Sequence, residues 1–177
     1  SWYDDAGAIA LLVHTLDSEA TAAALPVFEA LKEKYDAEGI EFMMINPMGY
    51  LNRDEVQKQV AMHHTEIPVL MDDAQVISQA LGIDKTGEVF LYDPKSFTVK
   101  YRGPVADSEL AMQELVAGKE VGTPVVATMD SAVSYPTARP LSYRQDIAPI
   151  IAENCASCHR EGGIAPFDMD SHAMIQG

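Results

Sequence analysis

Hydrophobic positions change period several times along the chain, and each change marks an element. Ala8-Ile9-Ala10-Leu11-Leu12-Val13 is an unbroken apolar run of strand length, the pattern of a strand buried on both faces. Leu25, Phe28, Leu31 and Tyr35 then recur at steps of three and four, which predicts a helix over 19–37 with one apolar face and Gly39 as its stop. Residues 40–45 predict a second strand, and Asn52 or Asp54 can cap a second helix running to about His63 with Val56 and Val60 turned inward. A short strand follows at 68–71, then a helix at 74–81 behind Asp72 and Asp73, closed by Gly82. Residues 88–92 and 98–102 predict a hairpin across the Asp93-Pro94 turn, and Ser108 can cap a last helix to Ala117. The order βαβαβαββα predicts an α/β fold with a mainly parallel sheet, helices on both faces and a C-terminal antiparallel hairpin.

Helical periodicity is lost from Val121 to Pro140, where Gly, Thr, Pro, Ser and Val dominate. Such a segment serves as a linker or a strap. A second unit begins at Ser142, with a short helix over 146–155 whose apolar face is Ile147, Ile150 and Ile151. Gly162-Gly163 breaks it, and Ala165-Pro166-Phe167 predicts a turn. The expected organisation is therefore a domain at 1–118, a linker or strap at 119–141 and a small helical unit at 142–177.

Charge narrows the partners. Lys+Arg 12 against Asp+Glu 27 gives a formal net charge of −15 over 177 residues. A surface that acidic repels phosphate backbones and anionic lipid heads, and there is no Gly-rich phosphate loop. A protein partner with a basic surface fits better. No stretch approaches the ~20 apolar residues of a membrane-spanning helix.

The two cysteines stand together in Cys155-Ala156-Ser157-Cys158-His159. Two thiols three positions apart lie near one face of a helical turn, where they can add to the two vinyl groups of one porphyrin. The adjoining imidazole can then reach the iron as its proximal ligand. Cys155, Cys158 and His159 are thus expected to hold one covalent haem c. Three other uses of the thiols are open. A thioredoxin-type redox pair normally follows the first strand of a βαβ unit. A zinc site wants four ligands, often from a second Cys pair. A disulfide across so tight a loop adds little stability.

Met169, His172 and Met174 are the in-chain candidates for the sixth iron position, a thioether raising the reduction potential and a second imidazole usually lowering it. His63 and His64, being adjacent on a helix, point about 100° apart and suit a helix C-terminus better than a metal. His14 is expected to be a core or rim residue. Asp17, Glu19, Asp72 and Asp73 are expected to be caps and solvated charge, and Met43, Met44, Met62 and Met112 to be core.

Residues 1–118 resemble thioredoxin-like redoxin domains related to peroxiredoxins and thiol-disulfide reductases. The resemblance rests on the Ala8–Val13 strand, the helix with Pro26 near its start, Gly39-Ile40-Glu41-Phe42-Met43, and Thr86-Gly87-Glu88-Val89-Phe90 followed by Asp93. It implies a reactive cysteine just after the first strand, where Ser18 is the nearest match, and a cis-proline where this chain has Thr86-Gly87. A serine has no accessible thiolate-like form, so the domain is expected to be redox-silent, a scaffold or docking surface.

Residues 142–177 resemble the start of a c-type cytochrome domain, through Tyr143-Arg-Gln-Asp-Ile-Ala-Pro-Ile-Ile, Asn154-Cys-Ala-Ser-Cys-His-Arg and Gly162-Gly-Ile-Ala-Pro-Phe. The 165–167 turn would pack near the porphyrin edge. Together the two parts resemble large exported bacterial proteins that join a redoxin-like domain, a cytochrome and often a copper type II ascorbate-dependent monooxygenase region. Covalent haem attachment is carried out outside the bacterial cytoplasm or in equivalent organelle spaces, so a periplasmic or exported location is expected. About 36 residues is small for a haem pocket, so the sequence is expected to be part of a longer chain. The expected function is electron transfer through the haem. The alternatives are an electron relay to an oxidoreductase site encoded elsewhere, and a partner-binding module.

Overall fold

Six consecutive apolar residues can be buried on both faces only in the middle of a sheet, and that is where Ala8–Val13 lies. The structure, a computed structural model, describes residues 7–48, 53–129, 132–133, 135 and 142–169. It divides into two units, 1–136 and 137–177. In the first, strands β1 (Ala8–Val13), β2 (Ile40–Asn46), β3 (Val69–Met71), β4 (Glu88–Asp93) and β5 (Thr98–Pro104) form one sheet in the order β3-β2-β1-β4-β5. β1 pairs parallel with β2, and β2 with β3. β4 pairs antiparallel with both β1 and β5. The sheet is therefore mixed rather than mainly parallel: the chain enters β4 from a loop instead of a full crossover helix, and so reverses direction beside the central strand.

Helix α1 (Glu19–Tyr35) buries Leu25, Phe28, Leu31 and Tyr35, the periodic set, against one face of the sheet. It ends at Tyr35, two residues short of the expected 37, and passes into a 3₁₀ turn at Asp36–Glu38; Gly39 then takes φ +91°, a left-handed value that glycine adopts without a side-chain penalty. Helix α2 (Arg53–Met62) buries Val56, with Val60 packed at the core margin. Asp54 lies inside its first turn rather than at the cap, and Asn52 is outside the described residues. Helix α3 is shorter than expected, Val76–Ala80. Helix α4 is Glu109–Val116; Ser108 occupies its N-cap, but the hydroxyl donates to the Val105 carbonyl at 2.7 Å instead of capping.

Beyond α4 the chain straps the first unit. The N–H of Arg102 donates to the Pro124 carbonyl at 2.8 Å, and Val126 N–H to the Arg102 carbonyl at 2.9 Å. A Cβ on Gly103 would lie 2.9 Å from the Val126 side chain, so glycine lets the strap approach β5. Val133 N–H then reaches the Asp84 carbonyl at 2.9 Å. The second unit contains one π-helical turn, Tyr143–Ile147, running into helix α5 (Ala148–Asn154).

Candidate haem-attachment site and the first unit's hydroxyl network

The C-terminal end of α5 shapes the Cys155–His159 turn. Cys155 closes the helix, its N–H on the Ile151 carbonyl at 2.9 Å. The N–H groups of Cys158 and His159 both return to the Cys155 carbonyl, at 3.1 and 3.0 Å, so both sulfur-bearing residues and the imidazole share one turn. Both cysteines are free thiols, Cys155 half-buried and Cys158 exposed. The segment after the motif folds back on it: Ala165 N–H donates to the Cys158 carbonyl at 3.1 Å, and Met169 N–H to the His159 carbonyl at 3.0 Å. Gly163 is required by close approach, since a Cβ there would run into the Cys158 carbonyl.

His159 Nδ1 lies 2.9 Å from the Phe167 carbonyl. A carbonyl only accepts, so Nδ1 carries the proton, and the neutral ring keeps its lone pair on Nε2. This is how proteins orient a metal-ligating histidine. The Phe167 ring packs on the imidazole at 4.5 Å between centroids, tilted 47°. Phe167 therefore positions the histidine by both backbone and ring, a role the sequence alone does not reveal. Around the motif, Ile147, Ile150, Ile164 and Phe167 are exposed, and among described residues 142–169 no side chain is buried. Among the described residues of this unit, the predicted apolar helix face stays largely uncovered. Two thiols at i and i+3, an imidazole with Nε2 available and a rim of uncovered apolar side chains make a donor set and surface that fit a covalently held haem.

The other candidates separate clearly. Met169 is held by its main chain beside His159, whereas His172 and Met174 lie outside the described residues. His63 and His64 follow the end of α2 and are exposed. Among the described residues no group of three or more His, Cys, Asp or Glu is placed to hold a metal. Asp72 is a buried acceptor, its Oδ2 taking the Ser78 N–H at 2.6 Å, while Asp73 pairs with Arg53 at 3.1 Å. Asp17 accepts from Gln59 Nε2 at 3.4 Å, and Glu19 lies in the first turn of α1. Met43, Met44 and Met112 are core, but Met62 is exposed: α2 turns its apolar face through Val56 and Val60, and Met62 falls off that face.

Ser18 caps α1, its Oγ accepting the Thr21 N–H at 3.1 Å. Thr86 Oγ1 donates to that same Oγ at 3.0 Å and also meets Thr15 Oγ1 at 2.9 Å and Thr21 Oγ1 at 3.1 Å. Gly87 follows with φ +74°, its N–H on the Val13 carbonyl at 2.9 Å, and a Cβ there would press on Ala20 at 3.0 Å. No cis peptide occurs among the described residues. A hydroxyl network thus joins the start of α1 to the start of β4. Thr15 and Thr21 escape sequence reasoning, though Ser18 and Thr21 at i and i+3 carry the signal; Thr86 stands out in sequence only as the place of the missing cis-proline. Beside this network His14 is buried, its Nδ1 3.0 Å from Asn46 Nδ2, and it protonates only near pH 4, chiefly because burial penalises its charge and secondarily because His63 repels it.

No protein-family model and no curated protein matches the chain. Solved structures do. A hypothetical protein from Sinorhizobium meliloti is 21% identical, with TM-score 0.63, over 77% of this chain and 84% of that one. A thioredoxin-like protein solved in its oxidized form is 13% identical, with TM-score 0.51, over 64% and 80%. A putative thiol:disulfide interchange protein DsbE from Chlorobium tepidum is 19% identical, with TM-score 0.51, over 66% and 83%. The fold of the first unit is thioredoxin-like. Identities this low speak for the fold alone. No helix among the described residues is long and apolar enough to cross a membrane.

Proposed function

We propose that the chain carries one covalent c-type haem on Cys155 and Cys158, with His159 as proximal ligand, and that it transfers electrons. The observation that carries this is the bond from His159 Nδ1 to the Phe167 carbonyl, which leaves Nε2 available beside two free thiols. When bound, the haem supplies a one-electron iron couple. The chain's own residues do the rest. Cys155 and Cys158 anchor the ring, Phe167 fixes the imidazole, and Ile147, Ile150 and Ile164 offer apolar surface to cover it. The sixth ligand would come from Met169, whose N–H is bonded to the His159 carbonyl at 3.0 Å, from Met174 or His172, or from outside this sequence. The competing uses of the thiols find less support. Cys155 closes the C-terminal end of its helix, whereas thioredoxin-type nucleophiles sit at a helix N-terminus.

The thioredoxin-like unit serves as scaffold or docking surface. Both cysteines lie at 155 and 158, so residues 1–136 contain no thiol for exchange. Thioether attachment of haem takes place outside the bacterial cytoplasm, which makes the protein periplasmic or exported. A redox partner with a basic surface is drawn in by the −15 charge, and its association weakens with salt.

The test is a pyridine haemochrome spectrum and intact mass of the full chain made with c-haem maturation machinery. The expected result is the α-band of two thioether links and a mass increase of one haem, with the band shifted in Cys155→Ser or Cys158→Ser. Thiols found free, joined to each other or bound to zinc under those conditions overturn the assignment.

A further inference from the structure

The two faces of the sheet are covered unequally. Toward α1, Ala10, Leu12, Phe42 and Met44 are fully enclosed. On the opposite face, Ile9 and Leu11 of β1 and Met43 of β2 floor an apolar groove of about 630 Å³. Its walls come from α3, through Val76 and Ile77, and from the β4–β5 hairpin, through Phe97 and Val99. Helix α3 has only five residues, and even with Val133 of the strap packed on this face the floor residues Ile9, Leu11 and Met43 stay 6–8% exposed. Val76 is 67% exposed and Phe97 79%. Phe97 also has φ +56°, a conformation a bulky side chain rarely adopts. An aromatic held in strained backbone and presented to solvent beside an apolar trough is doubly disfavoured unless something covers it.

We infer that this groove docks a basic amphipathic helix of a partner protein. The floor is the face of a sheet, not its edge, so it offers no backbone hydrogen bonds to an extended peptide; a helix satisfies its own. Charge selects the kind of helix. Glu41 stands on the same face, paired in register with Ile9 and two residues before Met43, partly buried and without a hydrogen-bond or ion-pair partner among the described residues. No ion pair joins Glu41 to a lysine among the described residues, and Lys100, on the β5 wall, is bound to Asp93 at 3.7 Å. The net charge of −15 repels a second copy of the chain as well as acidic segments.

The probe is a pair of 14-residue synthetic helices with the same Leu face, one carrying Lys and the other Glu on the polar face, titrated into ¹⁵N-labelled full chain. The Lys peptide is expected to bind at least tenfold more tightly than the Glu peptide and to shift the amides of residues 9–11, 43, 76–77 and 97–99. Val76→Asp with Phe97→Ser, both at exposed positions, is expected to weaken it at least tenfold, although the added carboxylate would strengthen a merely electrostatic attachment. Glu41→Lys, a second and independent variant, is expected to narrow the Lys-over-Glu preference at least threefold. Unchanged binding by either variant, or shifts confined to other surfaces, overturns the inference. So does a wild-type dimer that the double variant makes monomeric, which assigns the groove to a second copy. Binding that appears only after removal of residues 1–6 assigns it to the chain's own N-terminal segment and likewise overturns it.

Discussion

His14 ends the central strand with its imidazole enclosed, 2% exposed, and its environment dictates its charge. Met48 N–H donates to Asn46 Oδ1 at 2.9 Å, which fixes the orientation of that amide and turns its Nδ2–H toward His14 Nδ1 at 3.0 Å. Nδ1 is therefore an acceptor, and the proton of the neutral ring sits on Nε2. Protonation would place an N–H against an N–H inside the core. An ordinary imidazole protonates near 6.5, and burial, reinforced by His63, holds this one down to about 4. Between those values the unfolded chain takes up a proton that the folded chain refuses. Stability contributed by this site is thus unaffected above pH 6.5 and falls steadily as pH falls toward 4. At 1.36 kcal/mol per pH unit the loss reaches about 3 kcal/mol by pH 4. The assay is urea unfolding of the full chain and of His14→Gln, followed by circular dichroism at intervals from pH 7.5 to 4. Subtracting the variant cancels the carboxylates that titrate in the same range. The variant is expected to be less stable at pH 7.5 and to close on, or overtake, the wild type by pH 4.5. A wild-type-minus-variant difference that is flat with pH, or that grows on acidification, would falsify the burial argument.

Three further outcomes follow from the packing. Thr86→Val removes the hydroxyl shared by Thr15, Ser18 and Thr21 and should cost about 1–2 kcal/mol in denaturant unfolding. Arg102→Ala strips the 3.0 Å Nε partner from Glu88, which is 2% exposed and whose Oε2 already has no hydrogen bond; about 2 kcal/mol or more should be lost, with Arg102's own 28% exposure keeping it below a fully buried pair. A matching Glu88→Gln variant in the same background should recover part of that loss. Gly163→Ala should lower haem incorporation several-fold, read as α-band absorbance per protein, because the new Cβ meets the Cys158 carbonyl; full incorporation would show that the turn adjusts freely.

Local pattern was enough to locate every strand and helix of the first unit, because burial imposes its period on the residues that make each element. Ala8–Val13 could be recognised as a central strand, and Leu25, Phe28, Leu31 and Tyr35 as the buried stripe of α1, from spacing alone. The Cys155–His159 motif was legible for the same reason, its donors being neighbours in the chain. What spacing cannot convey is contact between distant residues. The direction of β4 beside β1 decided that the sheet is mixed, and long-range pairing, not periodicity, sets it. The hydroxyl network spans up to 71 positions from Thr15 to Thr86, so no local window contains it. Phe167 became the residue that orients His159 only when the chain turned back at Gly162-Gly163. The groove on the second sheet face was decided by tertiary structure too: each of its residues looks like ordinary core in sequence, and only the packing of α3 and the β4–β5 hairpin around Ile9, Leu11 and Met43 forms it.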